Sequence, residues 1–168
     1  MGFVMELVKA KREIAELEAK VTELEEELAP APKPDIQLLS VSSDQALAEM
    51  VQLNLKPMYP CLLDAGQPYY YTDDEGWAEV FHYIYLVFKM PPWVAARMDC
   101  EDFSILLKGL VSALFGLNYF ALTIGDIPVG RHGFGFFRTP SGQLIIEPQT
   151  ADFFAWGDRY YEPDYYLM

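Results

Sequence analysis

Basic residues are scarce in this sequence. Only 12 Lys and Arg stand against 25 Asp and Glu, for a formal net charge of −13. Such a surface repels phosphate backbones and anionic lipid, which argues against nucleic acid or a membrane surface as partner. Cysteine is nearly absent. Cys61 and Cys100 are too few for a disulfide scaffold. With His82 and His132 they could supply four zinc ligands, but no Cys-x-x-Cys or His-x-x-x-His spacing supports that. Long apolar runs are missing too, and none approaches the roughly 18 residues of a membrane-spanning helix. The start, Met1 to Leu7, has no basic leader region. The expectation is a soluble, cytoplasmic protein without signal peptide or transmembrane segment. What is abundant is apolar and aromatic residues, at 52% and 15% of the chain, enough to bury a core.

The first 28 residues carry a heptad repeat. Leu7, Ile14, Val21 and Leu28 fall at a, and Phe3, Ala10, Leu17 and Leu24 fall at d. No Gly or Pro interrupts Phe3 to Leu28. β-branched residues at the central a positions with Leu at d favour a parallel dimer. The flanking pairs Glu6–Lys11 and Lys20–Glu25 attract, while Glu13–Glu18 repels, and a trimer or an antiparallel pairing stays open. A solvated helix lying on its own domain is the plainer alternative, although its stripe would be wider. Residues 29–34, Ala-Pro-Ala-Pro-Lys-Pro, stop the helix and form a stiff spacer. Residues 35–168 make the globular domain.

Within that domain, Ser42 to Leu53 reads as a helix capped by Ser42 or Ser43. Asn54 to Gly76 reads as irregular. Trp77, Val80, Phe81, Ile84 and Phe88 recur at helical spacing before Pro91-Pro92. The strongest helix carries Phe103, Leu106, Leu107, Leu110, Val111, Leu114 and Phe115 and ends at Gly116. Strand-like segments follow at Tyr119–Ile124, Gly133–Thr139 and Gln143–Glu147, with a turn at Thr139-Pro140-Ser141-Gly142. Helices first and an antiparallel sheet later predict an α+β fold. The aromatic, acidic tail from Trp156 to Met168 has no evident place.

Three residues carry reactive chemistry. Cys100 opens the best helix, where the helix dipole and free N–H groups favour a thiolate or an oxyanion. Asp99, Glu101 and Asp102 oppose that, so an imidazole partner is needed. His82 lies roughly opposite its helix's apolar stripe and reads as a boundary residue. His132 sits among glycines at the mouth of a strand. Glu147 ends the apolar strand Leu144-Ile145-Ile146, where a carboxylate needs a partner or water. A His–carboxylate bond would fix the ring tautomer. The hairpin decides whether they meet. The Pro140-Ser141-Gly142 loop is expected to be a three-residue hairpin with a glycine bulge, which leaves His132 and Glu147 on opposite faces. A two-residue loop puts them on one face, diagonally, about 7–8 Å apart, and a second bulge at Gly133 or Gly135 is the other way to bring them together.

Cys100, His132 and Glu147 in this order, one on a helix and two on successive strands, resemble papain-like and transglutaminase-like cysteine hydrolases. The resemblance is strongest to the C-terminal protease domain of Marasmius-type fungal agglutinins and related bacterial domains. It rests on Asp99-Cys100-Glu101-Asp102, Gly130-Arg131-His132-Gly133-Phe134 and Ile146-Glu147-Pro148-Gln149-Thr150. The resemblance implies a papain-like helix plus antiparallel sheet, with Cys100 as nucleophile, His132 as base and Glu147 as orienting carboxylate. It implies Trp93 and Gln149 as oxyanion candidates, and calcium near the cysteine helix at Glu101 and Asp102. Val94 departs from the papain pattern, which has glutamine there. Cell-wall amidases want Ser-Gly after the cysteine, where this chain has Glu101-Asp102.

The leading expectation is therefore a thiol-dependent amide hydrolase acting on a peptide or protein: cysteine peptidase, amidase or transglutaminase-like acyl transferase. Its chemistry needs no cofactor. The alternative is a catalytically inactive hydrolase-like binding or scaffold module that the coiled coil presents multivalently.

Overall fold

The structure, a computed structural model, describes residues 14, 16–21, 31–58, 66–91, 98–157 and 161–168. The chain divides into two compact units, Met1–Pro32 and Lys33–Met168. In the first, residues 14 and 16–21 are helical. Ile14, Leu17 and Val21 are each more than half exposed, at 54%, 63% and 53%, so these three heptad positions form an apolar stripe open to solvent. Phe3, Leu7, Ala10, Leu24 and Leu28 lie outside the described residues.

The second unit is α+β. Strand β1 (Leu39–Val41) leads to helix α1 (Ser43–Gln52), then β2 (Lys56–Pro57), β3 (Tyr69–Tyr71) and helix α2 (Asp74–His82). A π-helical turn, Tyr83–Val87, extends α2. Helix α3 (Cys100–Phe115) precedes β4 (Phe120–Ile127), β5 (Gly130–Thr139), β6 (Gly142–Glu147), β7 (Asp152–Ala155) and β8 (Glu162–Leu167). Local chemistry sets the helix ends. Ser42 and Gln45 form a reciprocal capping box on α1. The Asp73 carboxylate accepts the Gly76 N–H at 2.8 Å on α2. Gly116 closes α3 in the left-handed region, φ 71°.

Six strands form one sheet in the order β2-β8-β4-β5-β6-β7, and β1 pairs with β3 separately. The sheet is mixed, which corrects the expected antiparallel one: β2 pairs with β8 in parallel, the remaining pairs antiparallel. Two further expectations are amended. The stretch Asn54–Gly76, read as irregular, contributes β2 and β3. The aromatic tail supplies β8, inserted between β2 and β4.

Alternation along β5 sorts the two faces. Phe137 faces Trp77 and Phe81 of α2, with ring centroids 4.8 and 5.3 Å apart. On the same side, α3 crosses at Gly133. Phe136 and Arg138 face the other way. Arg138 stacks over Tyr71 of β3 and pairs with Glu49 of α1. The sheet thus lies between two layers, and its apolar faces supply one continuous core.

Candidate functional site

The turn after β5 has two residues, because Thr139 pairs with Gly142, which corrects the expected three-residue loop. That is the register that puts His132 and Glu147 on one face. Continued from the Gly135–Ile146 pair, it sets Glu147 across from Phe134 and diagonal to His132. His132 Nε2–H donates to Glu147 Oε2 at 2.6 Å, with side-chain exposures of only 12% and 13%. Two further donors serve the same carboxylate: the Gln149 N–H to Oε1 at 3.3 Å, and the Tyr161 hydroxyl to Oε2 at 3.5 Å. Three donors satisfy a carboxylate at the end of a buried strand, which would otherwise be costly. Tyr85, from the π-helical turn, donates to the Pro148 carbonyl at 2.6 Å. Burial, then the nearby Glu147 charge, push its hydroxyl pKa well up. Rings of Phe134 and Phe154 pack on Tyr161, at 5.1 and 4.8 Å.

Cys100 approaches this cluster at Gly133, the residue after His132. The first turn of α3 packs on Gly133, where a Cβ would stand 3.2 Å from the Cys100 carbonyl group. Gly133 therefore faces α3. Its neighbour His132 projects from the opposite face, beside Phe134 at 6.3 Å. The Cys100 thiol donates to Glu101 Oε2 at 3.1 Å and makes no hydrogen bond to the imidazole. Burial raises its pKa above the ordinary thiol value. The Gly133 N–H pulls it down, and the Glu101 bond with the charges of Glu101 and Asp99 raises it again. The net direction is upward.

The other expected site residues are scattered. Trp93 and Cys61 lie outside the described residues. The Gln149 side chain is exposed, and its backbone N–H serves Glu147. Glu101 and Asp102 are exposed on the first turn of α3. Among the described residues no group of three or more His, Cys, Asp or Glu is placed to hold a metal ion. His82 is exposed. The sequence reading missed Tyr85 and Tyr161. Neither has a local signal, since one lies in an apolar run and the other in the unplaced tail.

No family model and no curated protein matches the sequence. Solved structures do. One is the "PSL1a-E64 complex", at 20% identity and a TM-score of 0.60, covering 77% of this chain and 51% of that one. Another is Polyporus squamosus lectin bound to the human-type influenza-binding epitope Neu5Aca2-6Galb1-4GlcNAc, at 18% identity and a TM-score of 0.60, covering 77% and 50%. Over 77% of its length the chain shares its fold with about half of a lectin chain. At these identities the likeness concerns the fold alone, and the chain spans about half the length of those proteins.

These findings correct the leading expectation. The neighbours are structures of a lectin, not of a protease of the Marasmius type, and they do not support the names hydrolase or cysteine protease. The geometry gives a physical reason. A thiol hydrolase needs a thiolate bonded to its base. Here the thiol is bonded to a carboxylate and not to the imidazole, and burial raises its pKa.

Proposed function

We propose that the globular unit, residues 35–168, is a binding module. It has a hydrolase-like arrangement of one long helix against a sheet, with an inactive Cys–His–Glu constellation. The coiled coil of residues 1–28 presents several copies of it through the spacer 29–34. The observation that carries this reading is the thiol of Cys100, which hydrogen-bonds Glu101 and not His132. His132 and Glu147 then serve as a hydrogen-bonded polar pair that fixes the β5–β6 end, together with Tyr161. The open stripe of Ile14, Leu17 and Val21 supports self-association, with a dimer favoured and a trimer as the next candidate. Multivalency would raise avidity well above the affinity of one copy. The likeness to a lectin supports binding as the class of function. The lectin's epitope stays with the lectin, because the match covers half of that chain.

The test is the rate of Cys100 alkylation by iodoacetamide against pH, read site by site, with and without calcium. Calcium is included because Glu101 and Asp102 follow the thiol on the first turn of α3. Labelling should rise only near or above about pH 8.5, as for an ordinary or raised thiol. Fast labelling below about pH 7 that slows in His132→Ala would refute the inactive reading. Sedimentation of the full chain against Leu17→Asp checks presentation: the parent should be dimeric or trimeric and the variant monomeric. A monomeric parent removes the multivalent part.

A further inference from the structure

The two edges of the six-stranded sheet are built differently. At one, β2 offers only Lys56 and Pro57, a charge and a residue without an N–H. Both discourage pairing with a further strand. At the other, β7 (Asp152–Ala155) has neither lysine nor proline. The Trp156 N–H donates to the Gln143 carbonyl at 3.2 Å. Antiparallel alternation then turns the N–H and C=O of Phe153 and Ala155 away from β6. No strand covers them among the described residues.

A crevice of about 210 Å³ opens beside this edge, between α2 and the sheet. Trp77, Ala78, Phe137, Leu144 and Phe153 form its apolar walls, with Asp74 among its lining. Binding sites for whole small molecules run at about 300–1,000 Å³, so this volume suits one side chain. Phe153 contacts Phe81 and Phe137 yet stays 46% exposed, which leaves one wall open. The Asp74 carboxylate accepts from the Ser141 hydroxyl at 3.0 and 3.1 Å and is exposed. Asp73 and Glu75 flank it, and Asp152 begins the edge strand, in a chain of net charge −13.

We propose that the β7 edge docks an extended, arginine-bearing segment of another protein. The segment adds a strand through main-chain bonds to Phe153 and Ala155. It lays one arginine in the crevice, with the stem against Phe153 and the charge at Asp74. An acidic rim over an apolar wall complements that side chain better than an anionic or a purely apolar one. The docking surface uses neither Cys100 nor His132, so it stands apart from the reading of the thiol.

Fluorescence anisotropy with the full chain tests this. The probes are a fluorescein-labelled Gly-Ser-Thr-Val-Arg-Val-Thr-Ser-Gly peptide and a twin with glutamate for arginine. The arginine peptide should bind saturably and the twin roughly tenfold or more weakly. Asp74→Asn keeps the acceptor for Ser141 and should weaken binding roughly two- to fivefold. Ala155→Pro removes an N–H that serves no ladder bond and should weaken binding roughly tenfold. If that variant does not fold, the glutamate twin and Asp74→Asn decide. Absence of saturable binding, equal binding of the two peptides, or indifference to both variants overturns the proposal. Self-association that Ala155→Pro abolishes and the peptide does not compete would give the edge to a second copy, and also overturns it.

Discussion

Gly133→Ala is the perturbation that most directly reads the junction between α3 and β5. A Cβ at this position would lie 3.2 Å from the carbonyl carbon and oxygen of Cys100 and from the Cα of Glu101. All three are backbone atoms, so no side chain can swing aside. Favourable carbon contacts lie at about 3.5–4.0 Å, and helix and strand must part by a few tenths of an ångström. Overpacking of this kind costs about 1–3 kcal/mol. At this chain length each kcal/mol moves Tm by about 2–4 °C, so a fall of roughly 2–12 °C is expected. The same displacement draws the Gly133 N–H away from the thiol. That contact lowers the Cys100 pKa, so alkylation at fixed pH should slow. Thermal unfolding by circular dichroism, urea titration with an unchanged m value and site-resolved alkylation give three readouts. A variant within about 0.5 kcal/mol of the parent, labelled at the parental rate, refutes the argument that α3 bears on Gly133.

Two other perturbations test the layers. Glu49 pairs with Arg138, and its Oε2 accepts from Tyr119 at 2.5 Å. Glu49→Ala leaves the guanidinium and the phenol without their acceptor. The Arg138 and Glu49 side chains are 22% and 18% exposed, which tempers the loss to about 2–4 kcal/mol. In a double-mutant cycle with Arg138→Met, a coupling below about 0.5 kcal/mol would mean that α1 is not anchored there. Lys108 donates to the Phe120 carbonyl at 2.8 Å, and burial lowers its pKa to about 8. Between about pH 8 and its unfolded value near 10.5 the unfolded chain binds more protons, so this group's contribution to stability rises with pH. The stability of the parent minus that of Lys108→Met should therefore climb across that window. A flat difference contradicts the buried ammonium.

Much of the fold was legible in local pattern. The run from Phe103 to Phe115 with Gly116 behind it reads as a helix because apolar spacing and a left-handed stop agree. The hairpin at Pro140-Ser141 was legible as a turn but not as a register. One residue of loop length decides which face Glu147 takes, and side-chain bonds around Thr139 and Ser141 help set it. The tail was illegible because β8 gains its identity from pairing with β4. Sequence alone holds no trace of a partner strand about 40 positions away. The candidate triad shows the same division. Residue types and order pointed to Cys100, His132 and Glu147, and His132 and Glu147 do bond. The order could not tell that Gly133 faces α3 while His132 faces away.

The sequence by itself determined what depends on near neighbours: helix spans, caps, turns, the acidic surface and the a/d stripe of the first unit. Each follows from backbone preference or periodicity within a few residues. The tertiary structure decided what depends on distant parts of the chain. These are the parallel β2–β8 edge, the insertion of β8, the unguarded β7 edge, and the bond of Cys100 to Glu101 rather than to an imidazole. The physical reason is strand alternation. A single residue's shift exchanges the two faces of a sheet, and only packing on both faces fixes which side each residue takes.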